Sequence, residues 1–560
     1  MGINQRYDAI LINEAYLPDY TRYKKQSNLK LSRTAKKRIV LISDSHITAG
    51  GMFNKKIFET AVEEIKNIKD KDYVIHLGDL TQSGTYLEYK YALECIKDIR
   101  DEKFRIIPGN HDAKNVGYLI FEELFDSRSF TIEDDDLFIV GFDCSVPDLD
   151  TGRIGMQNLA TIGEMFKNVK NKIKILCFHH HLIPIPLTGR ERSSILDGGD
   201  ALEMIMAADI DIVLNGHRHI SNVYSCTNGE NEVIIFNAGT VSCNKTRYKE
   251  LFSYTIMDIN THSVHFSTKQ IMDQKTITRA RYINRKYNAE PDAAEKKLLL
   301  KLVHIGNTHF SADNFLDEIY QEAVRQINAL EPDLVIHSGD VTDSNKLSEF
   351  EVASSKLNHL RAPVCIVPGQ RDLQNFGWEL FPGMIGSLEP VFENDKLRVI
   401  GINSVDCTLE NGLIGRKKMF DTVNLLKEKP PGRINVVTFY HSVIPHPNTK
   451  FDSILSDAGA VLKHFTFPQH NIHILLCGQD HISFALQIEE TVISSCGTLS
   501  SSEYLDLNGN TYNIITCYAD GFAEIERVYV RSNKKERIGR YWINWLNHKN
   551  GKTGGSMAHE

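Results

Sequence analysis

The chain of 560 residues contains no apolar run that approaches the ~18 residues a membrane helix needs, so no membrane span is expected. Its opening residues, MGINQRYDAILINEAY, lack a basic segment followed by an apolar one, so no secretory leader is expected. There is no CxxC pair among its ten cysteines, which are scattered from Cys95 to Cys517. That excludes a zinc knuckle and a disulfide framework. Cys177 sits inside the apolar run KILCF and reads as a buried free thiol in a reducing compartment, so a cytoplasmic location is expected. Positive charge is not in excess either. The 64 Lys and Arg against 72 Asp and Glu leave a net charge of -8, which does not favour nucleic acid as a partner. What is present is ordinary for a globular protein, with 42% hydrophobic and 24% charged residues, and excludes wholesale disorder or a coiled-coil rod. A single core seldom grows beyond ~250–300 residues, so two domains are expected.

An internal repeat organises the chain. RIVLISDSHITAGG matches LVHIGNTHFSADN, VIHLGDLTQSG matches VIHSGDVTDSN, and RIIPGNHD matches CIVPGQRD. CFHHHLIPIP then matches TFYHSVIPHP, LNGHRH matches LCGQDH, and FNAGTVS matches SSCGTLS. The offsets stay between 260 (Asn284 to Asn544) and 263 (His46 to His309), as a tandem duplication requires. The expected division is a basic extension at 1–37, a first domain at 38–286, a linker at 287–297, a second domain at 298–547 and a tail, read as a cloning scar, at 548–560. Duplication also predicts a pseudo-dimer within the chain, with a homo-oligomer as the alternative.

Both copies alternate short apolar runs with amphipathic stretches. RIVLIS, DYVIHLG, RIIPG, LFIVGF, KIKILCF and IDIVLNG read as buried strands; NKKIFETAVEEIKNI and EYKYALECIKDI read as helices. The pattern predicts an α/β fold with its site at the carboxyl ends of the strands. In the first copy, metal-ligand side chains follow five of these strands: Asp44 and His46, Asp79, Asn110 and His111, His179 and His180, His217 and His219. Carboxylate, amide and imidazole together suit manganese, iron, zinc or cobalt. In D-x-H and H-x-H, alternate residues of an extended segment would point to one side. Gly78, Gly109 and Gly216 precede ligands and permit tight turns.

The ordered set D-x-H, G-D-x4-G, G-N-H-D, H and G-H-x-H resembles the calcineurin-like metallophosphoesterase superfamily over nearly the whole chain. The resemblance implies two tandem domains, each a β-sandwich flanked by helices, and a dinuclear metal site in the first. Carried over, Asp44, His46 and His219 hold one divalent transition ion, and Asn110, His217 and a histidine of FHHH hold the other. Asp79 bridges both. A metal-bound hydroxide would attack phosphorus, with His111 acting at the leaving group. Family strings with the ligand five residues before a proline select His179, with Pro184 following, and leave His180 for substrate. The repeat instead aligns His180 with His441 and puts Tyr440 opposite His179.

The second copy departs from the pattern. Asn307 stands for the Asp, Gln370 for the Asn, Arg371 for the acid histidine and Gln479 for the first His of G-H-x-H, while His309, Asp340, His441 and His481 survive. A catalytically silent half is expected, with single-metal binding left open and Arg371 a candidate for a phosphate oxygen. GNHD in place of GNHE, and no DRG after GD, speak against a protein phosphatase. GDLTQSGTYLEY, ending at Glu88 and Tyr89, and HHHLIPIP look like the cyclic-nucleotide and glycerophosphodiester phosphodiesterase branch, so a phosphodiester substrate is expected. A metal-dependent nuclease is the alternative, which would make nucleic acid the partner. A scaffold with a vestigial metal site is the third reading, against which the intact ligand set counts. His76, His304 and His337 read as satisfied core residues, Glu133–Asp136 as a hairpin turn, and the basic run Arg22–Arg38 as a solvated extension.

Overall fold

The computed structural model describes residues 36–545 except 190–193, 248–249, 261–262, 283–296, 312, 407, 428–431, 449–453, 503–508 and 544. The basic extension up to residue 35, the expected linker up to 296 and the tail from 546 lie outside the described residues.

In the run KRIVLI, Ile39 to Ile42 are all buried, and a strand of that kind must be covered on both faces. It becomes β1 (Lys37–Ile42), followed by α1 (Lys55–Lys66), β2 (Tyr73–His76), α2 (Tyr86–Ile96), β3 (Phe104–Ile106) and α3 (Gly117–Phe125). Next come the hairpin β4 (Phe130–Glu133) and β5 (Leu137–Gly141), then α4 (Met156–Lys167), β6 (Ile173–Cys177), α5 (Gly198–Ala207) and β7 (Ile212–Asn215). The copy ends in β8 (Asn222–Thr227), β9 (Glu232–Asn237), β10 (Ser253–Ile259), β11 (Ser263–Gln270) and β12 (Thr276–Tyr282). Helix α1 shows why these segments fold as they do. Asn54 caps it by accepting from Ile57 N, and Phe58, Ala61, Val62 and Ile65 recur at helical spacing on the buried side.

The order recurs in the second copy: β13 (Leu298–Ile305), α6 (Asp317–Leu330), β14 (Leu334–His337), α7 (Leu347–Leu357), β15 (Val364–Ile366) and α8 (Gly377–Met384). Then follow β16 (Val391–Glu393), β17 (Leu397–Gly401), α9 (Arg416–Lys427), β18 (Ile434–Thr438), α10 (Ala458–Phe465) and β19 (Ile474–Cys477). Last are β20 (Phe484–Ile488), β21 (Thr491–Ser495), β22 (Thr511–Tyr518), β23 (Phe522–Tyr529) and β24 (Lys534–Trp542).

Each copy is a sandwich of two sheets. One first-copy sheet has the order β12-β11-β10-β1-β2-β3, and its second-copy counterpart has β15-β14-β13-β22-β23-β24. Ile39, Leu41, Ile75, Leu214 and Phe236 fill the space between the first copy's sheets. Phe58, Tyr89 and Phe121 bring α1, α2 and α3 onto the outer face. This is the helix-flanked β-sandwich expected from the resemblance. The expected core histidines are placed as such: His76 meets Ser45 Oγ at 2.8 Å, His304 meets Ser338 Oγ at 2.7 Å, and His337 meets Thr308 Oγ1 at 3.1 Å. The acidic turn between β4 and β5 is there too, and Asp134 binds Lys37 Nζ at 3.0 Å. Among the described residues the nine cysteines are free thiols, and no helix is long and apolar enough to cross a membrane.

The remaining sheets of the two copies join. Strands β8 and β20 occupy equivalent places in the repeat and pair antiparallel with each other, Gln487 opposite Thr227 and Ile488 opposite Cys226. A single 12-stranded sheet results, and each edge covers the other. Helices α4, α5, α9 and α10 share one apolar cluster on it, including Phe166, Leu202, Ile444, Met419 and Leu462. Two close contacts repeat the symmetry: a Cβ at Gly199 would fall 1.9 Å from His446 O, and one at Gly459 would fall 2.4 Å from Ile185 O. Gly199 and Gly459 are repeat equivalents, as are Ile185 and His446, so the halves meet about an approximate two-fold.

Gly199→Ala should therefore lower stability by about 1–3 kcal/mol, the usual range for an overpacked contact. Gly163→Ala in α4, whose Cβ would meet only the Met204 side chain, with Cγ at 3.4 Å and Sδ at 3.9 Å, should be neutral or slightly stabilising. Urea midpoints of the full chain read both. Equal midpoints for wild type and Gly199→Ala would remove this contact from the account of stability.

Candidate metal centre

Parallel strands in one sandwich direct their carboxyl ends to one edge, and the loops there converge. Asp44 and His46 follow β1, Asp79 follows β2, Asn110 and His111 follow β3, His179 follows β6, and His217 and His219 follow β7. The loops are not extended, contrary to the sequence expectation. Asp44, His46, Asp79, His217 and His219 have φ of 54°, 48°, 56°, 72° and 56°, all in the left-handed region that non-glycine residues seldom occupy. The side chains of these five residues converge because the backbone turns back at each of them. Backbone bonds hold the turns: Asp44 N donates to Gly78 O at 3.0 Å and His46 N to Asp79 O at 3.0 Å. The glycines allow close approach, since a Cβ at Gly109 would fall 2.2 Å from Asp79 Oδ1 and one at Gly216 would fall 2.1 Å from Ser43 Oγ.

The donor atoms form two groups that share Asp79. In the first, His219 Nε2 lies 3.2 Å from Asp44 Oδ1 and 3.2 Å from His46 Nε2, and His46 Nε2 lies 3.5 Å from Asp79 Oδ2. In the second, His179 Nε2 lies 3.2 Å from Asp79 Oδ2, and His217 Nδ1 lies 3.0 Å from Asn110 Oδ1. For metal–ligand bonds of ~2.0–2.2 Å, polyhedron edges are roughly 3–3.6 Å, so both groups are spaced as ligands around an ion. The outer ring nitrogens are already used. His179 Nδ1 meets Leu77 O at 2.7 Å, His219 Nδ1 meets Lys245 O at 2.7 Å, and His46 Nδ1 meets Gln82 Oε1 at 2.9 Å. A carbonyl only accepts, so Nδ1 carries the proton and Nε2 faces the centre. Asp44 is fixed likewise: Oδ2 accepts from Ser43 Oγ at 2.6 Å and His217 N at 3.0 Å, while Oδ1 is buried and receives no hydrogen bond. Such an oxygen fits a cation.

Asp44, Asp79 and His179 are buried at 0%, 1% and 0% exposure. Burial opposes charge on His179, but neighbouring Asp79 outweighs it and raises the ring to about 9. Burial likewise opposes charge on His219, and Asp44 and Cys243 raise it to about 10. His46 goes the other way, lowered to about 3 by burial.

His111 lines the cavity beside these groups, with its backbone N donating to Asp79 Oδ1 at 2.8 Å and its Nδ1 to Gln82 O at 2.6 Å. His180 is placed elsewhere. It is fully buried, with Nδ1 3.1 Å from Cys144 Sγ and Nε2 3.2 Å from Asp150 O, behind His217 at a ring separation of 4.7 Å. It does not line the cavity of about 140 Å³, which Lys245, Arg247 and Asp150 do.

Three features were not read from the sequence. Asp112, the last residue of GNHD, accepts from Leu80 N, Thr81 N, Thr81 Oγ1 and Gly109 N, clamping two ligand loops together. Its recurrence as Asp372 in an otherwise altered motif was the available signal. Cys243 offers its sulfur next to His46 and His219. Lys245 and Arg247 come from a loop with no strand signal of its own. In the second copy, Arg371 Nη1 binds the carboxylate of Asp343.

Because His179 and His219 hold protons that an ion must displace, metal uptake at pH 7 should release about two protons per chain. Apparent affinity should rise with pH and level off above about 9–10, where both rings are already neutral. Calorimetric titration in buffers of different ionisation enthalpy counts these protons. A count near zero at pH 7 would contradict the assignment.

The calcineurin-like phosphoesterase family model matches residues 37–221 and again 300–483. The chain is 30% identical over 217 residues to a protein of Arcobacter nitrofigilis named "Probable glycerophosphodiester phosphodiesterase GpdQ", covering 36% of this chain and 78% of that one. It is 24% identical over 203 residues to the 3',5'-cyclic adenosine monophosphate phosphodiesterase CpdA of Escherichia coli, covering 34% of this chain and 72% of that one. Among solved structures, purple acid phosphatase PPD1 from yellow lupin seeds aligns at 8% identity with a TM-score of 0.37, covering 61% of this chain and 72% of that one. With the family matched twice over most of the described chain, the protein belongs to the calcineurin-like phosphoesterases and is a phosphoesterase by family.

Proposed function

We propose that the first copy hydrolyses small phosphodiesters with two divalent transition ions and that the second copy is catalytically silent. The observation that carries this reading is the convergence of six donor residues around the buried Asp79. Asp44, His46 and His219 hold one ion, Asn110, His179 and His217 hold the other, and Asp79 contributes to both. When bound, a pair of manganese, iron, zinc or cobalt ions acidifies water at neutral pH and offsets charge on the phosphoryl oxygens. His111 supplies a proton to the leaving oxygen from Nε2, since its Nδ1 is committed to Gln82 O. His180 positions His217 by packing against its ring. Lys245 and Arg247 draw an anionic substrate to the cavity. A diester, with a cyclic nucleotide as the leading candidate, is favoured by the GDLTQSGTYLEY and HHHLIPIP strings and by the names of the relatives.

The metal-reconstituted full chain should hydrolyse bis(p-nitrophenyl) phosphate faster than p-nitrophenyl phosphate; a faster monoester rate would overturn the diester reading. His111→Ala should retain metal yet slow turnover by ~10²–10⁴, the range for lost acid–base catalysis, with a smaller loss for esters whose leaving group needs no proton. Asp44→Ala should remove all turnover of the full chain, and activity surviving it would place catalysis in the second copy as well.

A further inference from the structure

We propose that the second copy holds a single divalent cation on Asn307 Oδ1, His309, Asp340 and His481. The comparison below uses the dinuclear reading of the first copy, but the second-copy site stands on its own atoms. Donor atoms of His309, Asp340 and His481 all lie within 4.8 Å of one another. The His309 and His481 rings are 5.4 Å apart, against 5.0 Å for His46 and His219.

Asn307 supplies the fourth donor. It is fully buried, and its Nδ2 donates to Gly478 O at 2.7 Å. A carbonyl can only accept, so the amide nitrogen must face it, and Oδ1 is left buried with no hydrogen bond. Asp44 behaves in the same way, spending one oxygen on protein donors and leaving Oδ1. The outer nitrogens of the two histidines also face polar side chains, His481 at hydrogen-bond distance and His309 at ion-pair distance. His309 Nδ1 lies 3.4 Å from Asp343 Oδ1, where the first copy has Gln82, and His481 Nδ1 lies 3.0 Å from Thr498 Oγ1.

The backbone separates the two ion positions. Asn307, His309, Asp340 and His481 keep φ of 54°, 46°, 52° and 57°, matching Asp44, His46, Asp79 and His219 within a few degrees. Gln479, in the place of His217, has left the positive region. Left-handed backbone at non-glycine residues is strained and persists where the surroundings hold it. It persists here at the four donors of one ion and is lost at the position that served the other.

The second ion's place is taken by a proton. Tyr440, in the place of His179, donates its hydroxyl to Asp340 Oδ2 at 2.7 Å. A carboxylate oxygen has a second lone pair, so Asp340 can accept the phenol and still bind one cation. Asn307 brings an amide where the first copy has a carboxylate, so this ion should be held more weakly than those of the first copy. Arg371, bound to Asp343, stands where the first copy has His111, so the ion lacks the acid of that position. The site ties the loops after β13, β14 and β19 together without hydrolytic chemistry.

The test is a metal count on the full chain with cobalt(II) alone as probe, by elemental analysis and the visible cobalt spectrum. Wild type should hold three ions. The Asp79→Ala/His219→Ala double variant should hold one, and adding His481→Ala should take it to none. A wild-type count of two with none in the double variant would overturn the proposal, as would an ion in the double variant that survives His481→Ala. One ion in wild type and one in the double variant would uphold it and sink the dinuclear reading instead. Should the triple variant fail to fold, the cobalt spectrum of wild type decides. Three sets of bands titrating in sequence support the third site, and saturation at two equivalents refutes it.

Discussion

The rest of the first copy depends on the burial of two carboxylates that, among the described residues, are paired with no lysine or arginine. Asp44 and Asp79 are at 0% and 1% exposure, and among the described residues their ion-pair neighbours are histidines only. A buried carboxylate is costly unless positive charge is supplied. The surroundings occupy Asp44 Oδ2 and Asp79 Oδ1 with protein donors and leave Asp44 Oδ1 and Asp79 Oδ2 facing the histidines of a common centre. Left-handed turns aim the side chains, glycines let the loops touch, and carbonyls fix the outer histidine nitrogens. Asp112 holds the loop after β2 against the loop after β3 through four donors, which keeps Asp79 beside Asn110.

The duplication separates what the fold needs from what the chemistry needs. Asp372 keeps the same clamp on Val341, Thr342 and Gly369 in a copy whose neighbouring donors have changed. The framework residue is retained because two loops still have to be joined. At the junction the copies have become one body, through the β8–β20 pair and a shared apolar cluster on the common sheet. The second copy thereby covers a sheet edge that the first would otherwise leave exposed.

Much of this was legible in the residues. Buried strands such as β1 and β6 are continuous apolar runs, and each donor follows one, so strand, site edge and ligand types could be read together. The repeat offsets carried the domain plan. The local backbone was not legible, because D-x-H reads equally well as an extended segment, and only the tertiary bonds to Gly78 and Asp79 carbonyls fold it back. In the triplet His179–His181 the family strings selected His179 as the ligand and left His180 for substrate, but the burial of His180 was not legible. His179 faces Asp79, while His180 turns behind His217 toward Cys144, a choice set by packing. Strand β8 mixes polar and apolar residues in NVYSCT, so its pairing with its own duplicate has no sequence signal. The pairing of Arg371 with Asp343, from the loop after β14, had no signal in the residues.

The most direct test of the central claim is anomalous diffraction from crystals of the manganese- or cobalt-loaded chain. The account predicts two peaks in the first copy, each within ~2.0–2.3 Å of an Asp79 oxygen and about 3.5–4 Å apart, as in two-metal sites. A single peak away from Asp79, or none in the first copy at saturating metal, would contradict it.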